Sequence, residues 1–358
     1  MTKRKHNFNA GPAALPFSVL ESVHRELLDF NNNGLSLMEM SHRSPEFDAV
    51  INGARDALIR LYSIPDDYDV MFMQGGASLQ FAMIPLNIAF GGAYINTGTW
   101  STRALKEAQT IAHADEIWSS ERDGFSHVPK TSILSAIGDE YPYLHYTSNN
   151  TIYGTQYAEV PRVGLPLICD MSSDFISRPV NIADYDLIYA GAQKNAGPSG
   201  VTVVIIKKEL SRSFRGPENT PKIMRYVTQA EKGSMYNTPN TFGIWVIKLV
   251  AEWVESQGGL AKIDAFNQAK AKALYDVIDN HPLCEGHARR DSRSLMNVTF
   301  RMQSAEQEQA FIEHCNTKDI MGLKGHRSVG GLRASLYNAV SMKSVEALCH
   351  ELDAFRGE

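Results

Sequence analysis

Leu187-Ile188-Tyr189-Ala190-Gly191-Ala192-Gln193-Lys194-Asn195-Ala196-Gly197-Pro198-Ser199-Gly200-Val201-Thr202-Val203-Val204-Ile205-Ile206 sets two short apolar runs around a turn of small residues that carries one lysine. Runs this short, rich in β-branched side chains and bounded by glycine, read as buried strands. Working outward, the same texture recurs at residues 69–73, closed by Gly75-Gly76, and at 93–96, 143–146 and 166–170. Helical spacing separates these runs: 16–30 (Val19, Val23, Leu27, Phe30), 45–62 (Phe47, Val50, Ala54, Leu58, Leu61), 78–90 with a break at Pro85, and 102–112. Short strands alternating with helices predict an α/β layered domain with a largely parallel sheet. After Asn240 the texture changes to helices at 242–255 and 260–280, parted by Gly258-Gly259. A strand at 294–300, a helix at 305–315, a strand at 331–335 and a helix at 343–355 follow, which predicts a smaller α+β domain.

Composition narrows the class. A chain of 358 residues holds about two domains at roughly 150 residues each. Lys plus Arg total 35 against 40 Asp plus Glu, for a net charge of -5, so nucleic acid is not an expected partner. The longest aliphatic run, 201–206, falls far short of the roughly 20 residues a membrane helix needs. The N-terminal Thr2-Lys3-Arg4-Lys5 leads into no apolar stretch, so no secretion signal is expected. Cys169, Cys284, Cys315 and Cys349 lie far apart with no CxxC pair, which fits reduced thiols in a cytoplasmic protein. No two histidines stand at ligand spacing, and no metal is expected.

Lys194 is the densest chemical signal. A turn of small residues admits a bulky planar group to the backbone, and a lysine there is partly desolvated, which frees its amine as a nucleophile for a Schiff base. The alternative is a hairpin whose lysine points into solvent. Asp170 ends the strand at 166–170, on the sheet edge where α/β ligands bind, and suits a protonated pyridine nitrogen; the alternative is a cap on Ser172-Ser173. Gln74-Gly75-Gly76-Ala77-Ser78 is a glycine turn feeding a helix, which favours an anion such as a cofactor phosphate, or is simply a turn. It matches neither nucleotide fingerprint. Trp100 follows the next strand and would stack on a ring or fill a core. His42-Arg43 and His326-Arg327 lie in loops and Arg333 opens an apolar strand, a set suited to a substrate carrying both phosphate and carboxylate. His24-Arg25, within an amphipathic helix, reads as solvated.

Five separated motifs in order, Asn7 to Pro12, Met38 to Arg43, Ala190 to Asn195, Asn237-Thr238-Pro239 and Gly325 to Arg333, give the chain a resemblance to the phosphoserine aminotransferase family over nearly its whole length. That family belongs to the class V branch of the fold type I aminotransferases. The resemblance implies a large domain (16–255) with a mostly parallel seven-stranded sheet flanked by helices, and a small domain (1–15 and 256–358) that includes an N-terminal arm. It also implies a homodimer with active sites at the interface. Lys194 would hold pyridoxal 5'-phosphate as a Schiff base, with Asp170 on the ring nitrogen, Trp100 on the ring face and Thr151 on the ring hydroxyl. Ala77, Ser78 and Gln193 would bind its phosphate, joined by Asn237 and Thr238 from the neighbouring subunit. Arg333 would clamp the substrate carboxylate, and His42, Arg43, His326 and Arg327 the substrate phosphate or the glutamate side chain. The implied reaction is a ping-pong transamination of 3-phosphohydroxypyruvate with L-glutamate, giving phosphoserine and 2-oxoglutarate in serine biosynthesis. Bacterial members of the family also use a four-carbon phosphorylated oxo acid in pyridoxine synthesis.

Two positions depart from some family members: Ser78 stands where they carry a phosphate-binding arginine, and Ala10 where they carry a serine. Among rivals, a cysteine desulfurase needs a reactive thiol on a mobile loop, whereas Cys315 falls in a helical pattern. A fold type I transaminase for a non-phosphorylated amino acid differs only at the His-Arg loops. A binding protein without turnover would be expected to lose Lys194 or Asp170, and a hydrolase would need a GxSxG elbow that this chain lacks.

Overall fold

The computed structural model describes residues 4–88, 91–134, 137 and 140–357. The last two positions of the helix expected at 78–90, and Thr2-Lys3 of the N-terminal basic cluster, lie outside the described residues. Strands β1 (Tyr68–Met73), β2 (Gly92–Asn96), β3 (Ala114–Ser119), β4 (Leu144–Thr147), β5 (Leu167–Asp170), β6 (Leu187–Gly191) and β7 (Thr202–Lys207) form one sheet. Their spatial order is β1-β7-β6-β5-β4-β2-β3. The run from β6 to β3 is parallel, and β7 is antiparallel to both its neighbours. Most of these strands are buried on both faces, which is why they read as continuous apolar runs.

Helices cover both faces. Along the chain come α1 (Phe17–Glu26), α2 (Pro45–Tyr62), α3 (Gly76–Ile88), α4 (Thr99–Gln109), α5 (Thr241–Ser256) and α6 (Gly259–Asn280). One face of the sheet packs Met71, Tyr94 and Tyr189 against Phe81, Ile84 and Leu105 of α3 and α4. The other packs Val203, Ile205 and Ile188 against Phe47, Leu58, Trp245 and Val250 of α2 and α5. A second, three-stranded antiparallel sheet of β8 (Cys284–Gly286), β9 (Asn297–Met302) and β10 (Leu332–Ser335) packs with α6, α7 (Ala305–Thr317) and α8 (Met342–Ala354). Phe8 of the N-terminal arm is fully buried in that core, and His6–Asn7 pair in parallel with Ile320–Met321. Among the described residues no helix is long and apolar enough to cross a membrane.

Two readings need correction. Pro85 does not break its helix: α3 runs through it, and the Asn87 side chain donates to the Met83 carbonyl at 2.7 Å inside a buried environment. The first helix stops at Glu26 rather than reaching Phe30: Asp29 leaves the helical region (φ -145°, ψ 86°), and Asn31 and Asn32 beyond it adopt positive φ (53° and 57°). The edge strand β3 has no counterpart among the expected strands, since its Asp115 and Glu116 mask the apolar pattern.

Candidate active site

The β6–β7 turn is held from several sides. Ala192 N–H donates to Val201 O (3.0 Å) and Gly197 N–H to Ala192 O (2.8 Å). Asn195 donates from Nδ2 to Phe175 O (2.7 Å) and accepts at Oδ1 from Asn338 N–H (3.0 Å). A Cβ at Gly197 would stand 2.8 Å from Ile247 Cγ1, so only glycine lets the turn lie this close to α5. Lys194 therefore does not point into solvent. It lines a cavity of about 280 Å³, and its Nζ sits 5.1 Å from the centroid of the Trp100 ring. Among the described residues Nζ has no hydrogen-bond or ion-pair partner. Burial pulls its ammonium below the ordinary pKa; Asp170 opposes that shift, Arg333 reinforces it and Asp174 opposes it.

Asp170 makes the cap and also faces the cavity. It lines the cavity, and its Oδ1 accepts from Ser172 N–H at 3.0 Å. Burial raises its pKa, while Lys194, hydrogen bonds from Ser172, and Tyr189 pull the other way. Gly75 and Gly76 enter α3 at φ of +88° and +66°, and a Cβ at Gly75 would lie 2.5 Å from Leu79 Cδ2. The first amides of α3 thus face the cavity beside Ala77 and Ser78, a ready anion site.

Trp100, on α4, and Arg333, on β10, reach the cavity from different elements and meet at Thr151. Trp100 Nε1 donates to Thr151 Oγ1 (2.9 Å), and Arg333 Nη1 donates to Thr151 O (2.9 Å). Arg333 Nε is buried without a partner among the described residues, a free donor beside the cavity that suits a carboxylate. His326 also lines the cavity; burial lowers its pKa, reinforced by the nearby Arg333, Arg327 and Arg103.

The remaining expected residues do not line this cavity. Arg327 is exposed beyond it. His42 and Thr238 contact each other (Nδ1 to Oγ1, 3.3 Å) in a surface cluster with Gln74, whose Nε2 donates to Thr238 O (3.0 Å), and Arg43 and Asn237 are exposed there. Sequence reasoning missed Arg103, whose guanidinium lies 5.1 Å from the Trp100 centroid. Its signal was its place one helical turn after Trp100. It also missed Gly11, where an added Cβ would stand 3.5 Å from Lys194 Cγ, and Phe81 and Ile152 in the cavity wall. Cys315 is buried in α7, and burial with Glu351 pushes its thiol up to about 12, which removes the desulfurase reading's nucleophile.

Comparison with known proteins agrees with this geometry. Residues 5–348 match the model of the aminotransferase class-V family. Phosphoserine aminotransferase of Halalkalibacterium halodurans is 51% identical, covering 99% of this chain and 98% of that protein. The solved phosphoserine aminotransferase of Bacillus circulans subsp. alkalophilus superposes with a TM-score of 0.95 at 46% identity, covering 98% of each chain. The pyridoxal-phosphate-bound phosphoserine aminotransferase of Trichomonas vaginalis gives 0.89 at 35% identity, covering 98% of this chain and 99% of that one. With a cavity lysine, an aspartate at the end of a parallel strand and these full-length relatives, the chain belongs to the aminotransferase class-V family, among the phosphoserine aminotransferases.

Proposed function

We propose that the chain transfers an amino group from L-glutamate to 3-phosphohydroxypyruvate, giving phosphoserine and 2-oxoglutarate, and that it uses pyridoxal phosphate to do so. The observation that carries this reading is the unpartnered amine of Lys194 sharing one cavity with Asp170, Trp100 and Arg333. The cavity fits the cofactor: an indole wall, a carboxylate at the strand end and free helix amides suit a ring face, a ring nitrogen and a phosphate. Ala77, Ser78 and Gln193 would hold the phosphate, Thr151 the ring hydroxyl and Asp170 the ring nitrogen. Pyridoxal phosphate, when bound, supplies an aldehyde for covalent capture of the amino group and a ring that spreads carbanion charge.

The chain's own residues supply the rest. Burial keeps Lys194 Nζ below its ordinary pKa, so the amine is available to take up the substrate α-proton and to deliver it within the same half-reaction. Asp170, whose carboxylate accepts from Ser172 N–H against the upward pull of burial on its pKa, would hold a positive charge opposite it. Arg333 binds the α-carboxylate with its free Nε, and His326 takes the distal anion. The His42–Thr238 cluster, with Arg43 and Asn237, stands exposed outside this cavity. We assign it to the neighbouring subunit's cavity in a homodimer, completing the phosphate and substrate sites there. The proposed division is a large domain over 16–255 and a small domain from 1–15 and 256–358, in a protein of the cytoplasm.

The test is the visible absorption spectrum of the purified protein before and after phosphoserine, with serine in parallel. A band that phosphoserine bleaches and serine leaves alone supports the reading. An equal response to serine overturns the phosphorylated substrate, and no band after adding pyridoxal phosphate overturns the cofactor.

A further inference from the structure

Behind Asp170 the sheet carries a buried polar pair that the reaction, as described so far, does not use. Tyr189 on β6 lies in register with Asp170 on β5, and its hydroxyl is 2.8 Å from Nε2 of His145 on β4. His145 is fully buried and stacks on Tyr94 from β2 (4.8 Å between ring centroids, 27° between planes). Its Nδ1 is buried with no partner among the described residues. Phe81 of α3 packs against Tyr189 and adds no charge. The charged groups around Asp170 are Lys194 from the β6–β7 turn and Asp174 from the segment after β5.

The two histidine tautomers have different consequences. With the proton on Nδ1, an N–H is buried without an acceptor and the single Tyr189 proton is taken up by Nε2. With the proton on Nε2, only a lone pair is left unpaired, and the tyrosine proton is free for its ladder neighbour. We propose that Tyr189 and His145 are positioning residues for Asp170: His145 donates from Nε2 to the Tyr189 hydroxyl, which donates to Asp170 and keeps that carboxylate ionised and directed at the cavity. This rests on the reading that Asp170 faces a pyridine nitrogen. Burial holds His145 neutral, with its pKa lowered to about 3, so the pair works as a fixed dipole at working pH.

The test is the ¹⁵N chemical shift of holoenzyme loaded with pyridoxal phosphate labelled at the ring nitrogen, followed against pH. In the unaltered protein the ring nitrogen should be protonated through the neutral range. Tyr189→Phe, which removes one oxygen, should make Asp170 more basic and draw the proton off the ring, lowering the nitrogen's midpoint by roughly one pH unit, a tenfold change. The turnover number should fall about tenfold, with KM for phosphoserine unchanged. His145→Leu should reproduce the shift, and His145→Gln, which keeps a side-chain N–H, should restore most of it. A merely structural pair would lower Tm in every variant and leave the nitrogen signal alone. Unshifted signals in Tyr189→Phe and His145→Leu holoenzymes overturn the proposal. If the unaltered protein binds no labelled cofactor, the functional reading fails first and the proposal with it.

Discussion

Two lysines lie against the protein interior, and they are opposites. Lys270, on α6, is fully buried, and its Nζ donates to the carbonyls of Leu336 (2.7 Å), Tyr337 (2.8 Å) and Val340 (3.1 Å). All three ammonium protons are used, so nothing remains for chemistry. Lys194, half-buried at the cavity wall, has no such partner among the described residues and lies against the Trp100 ring. A satisfied lysine holds a fold together; an unsatisfied one in a cavity is available to react. The two are also linked, since the segment that Lys270 fixes includes Asn338, whose N–H donates to Asn195 beside Lys194.

The contrast can be broken or sharpened by substitution. Lys194→Ala should abolish transamination, by at least about 10⁴-fold, in a protein that still folds; substantial remaining turnover would break it. Asp170→Asn keeps the shape and removes the charge, so turnover should fall on the order of 10³-fold with melting temperature little changed. Lys270→Met should do the reverse. Three carbonyls left without a donor should cost about 3 kcal/mol in denaturant unfolding, with turnover per folded molecule nearly kept. Arg333→Ala, removing one charged clamp, should lower kcat/KM by roughly tenfold to a hundredfold for both glutamate and phosphoserine. An unchanged value for both donors would remove Arg333 from the site.

Lys270 also sets a dependence on pH. Burial lowers Lys270 from 10.5 to about 7, so between those values the unfolded chain binds the extra proton. The burial penalty is fully present below about pH 7 and is relieved as pH rises toward 10.5, so this group should make stability climb by up to about 1.4 kcal/mol per pH unit in that window. Unfolding curves of the Lys270→Met protein should lack that component.

How much of this was legible in the sequence depends on what each residue's neighbours had to say. The central strands and the Lys194 turn were readable because strands buried on both faces are continuous apolar runs. The strand β3 was not, because an edge strand can carry Asp115 and Glu116. Pro85 misled because its helix persists through tertiary burial and the Asn87 side chain, neither of which periodicity records. In the site, Lys194, Asp170, Trp100, Thr151 and Arg333 converge although they come from four strand ends or loops and one helix. Arg103 escaped because an arginine on a helix surface looks solvated until the indole beside it is seen. The Tyr189–His145 pair escaped because both side chains read as ordinary positions in buried strands.

The most direct measurement is borohydride reduction of the pyridoxal-phosphate-loaded protein, followed by peptide mapping by mass spectrometry. The account predicts a cofactor mass fixed on the peptide containing Lys194, with Lys270 unmodified. A label on another lysine, or none on Lys194, would contradict it.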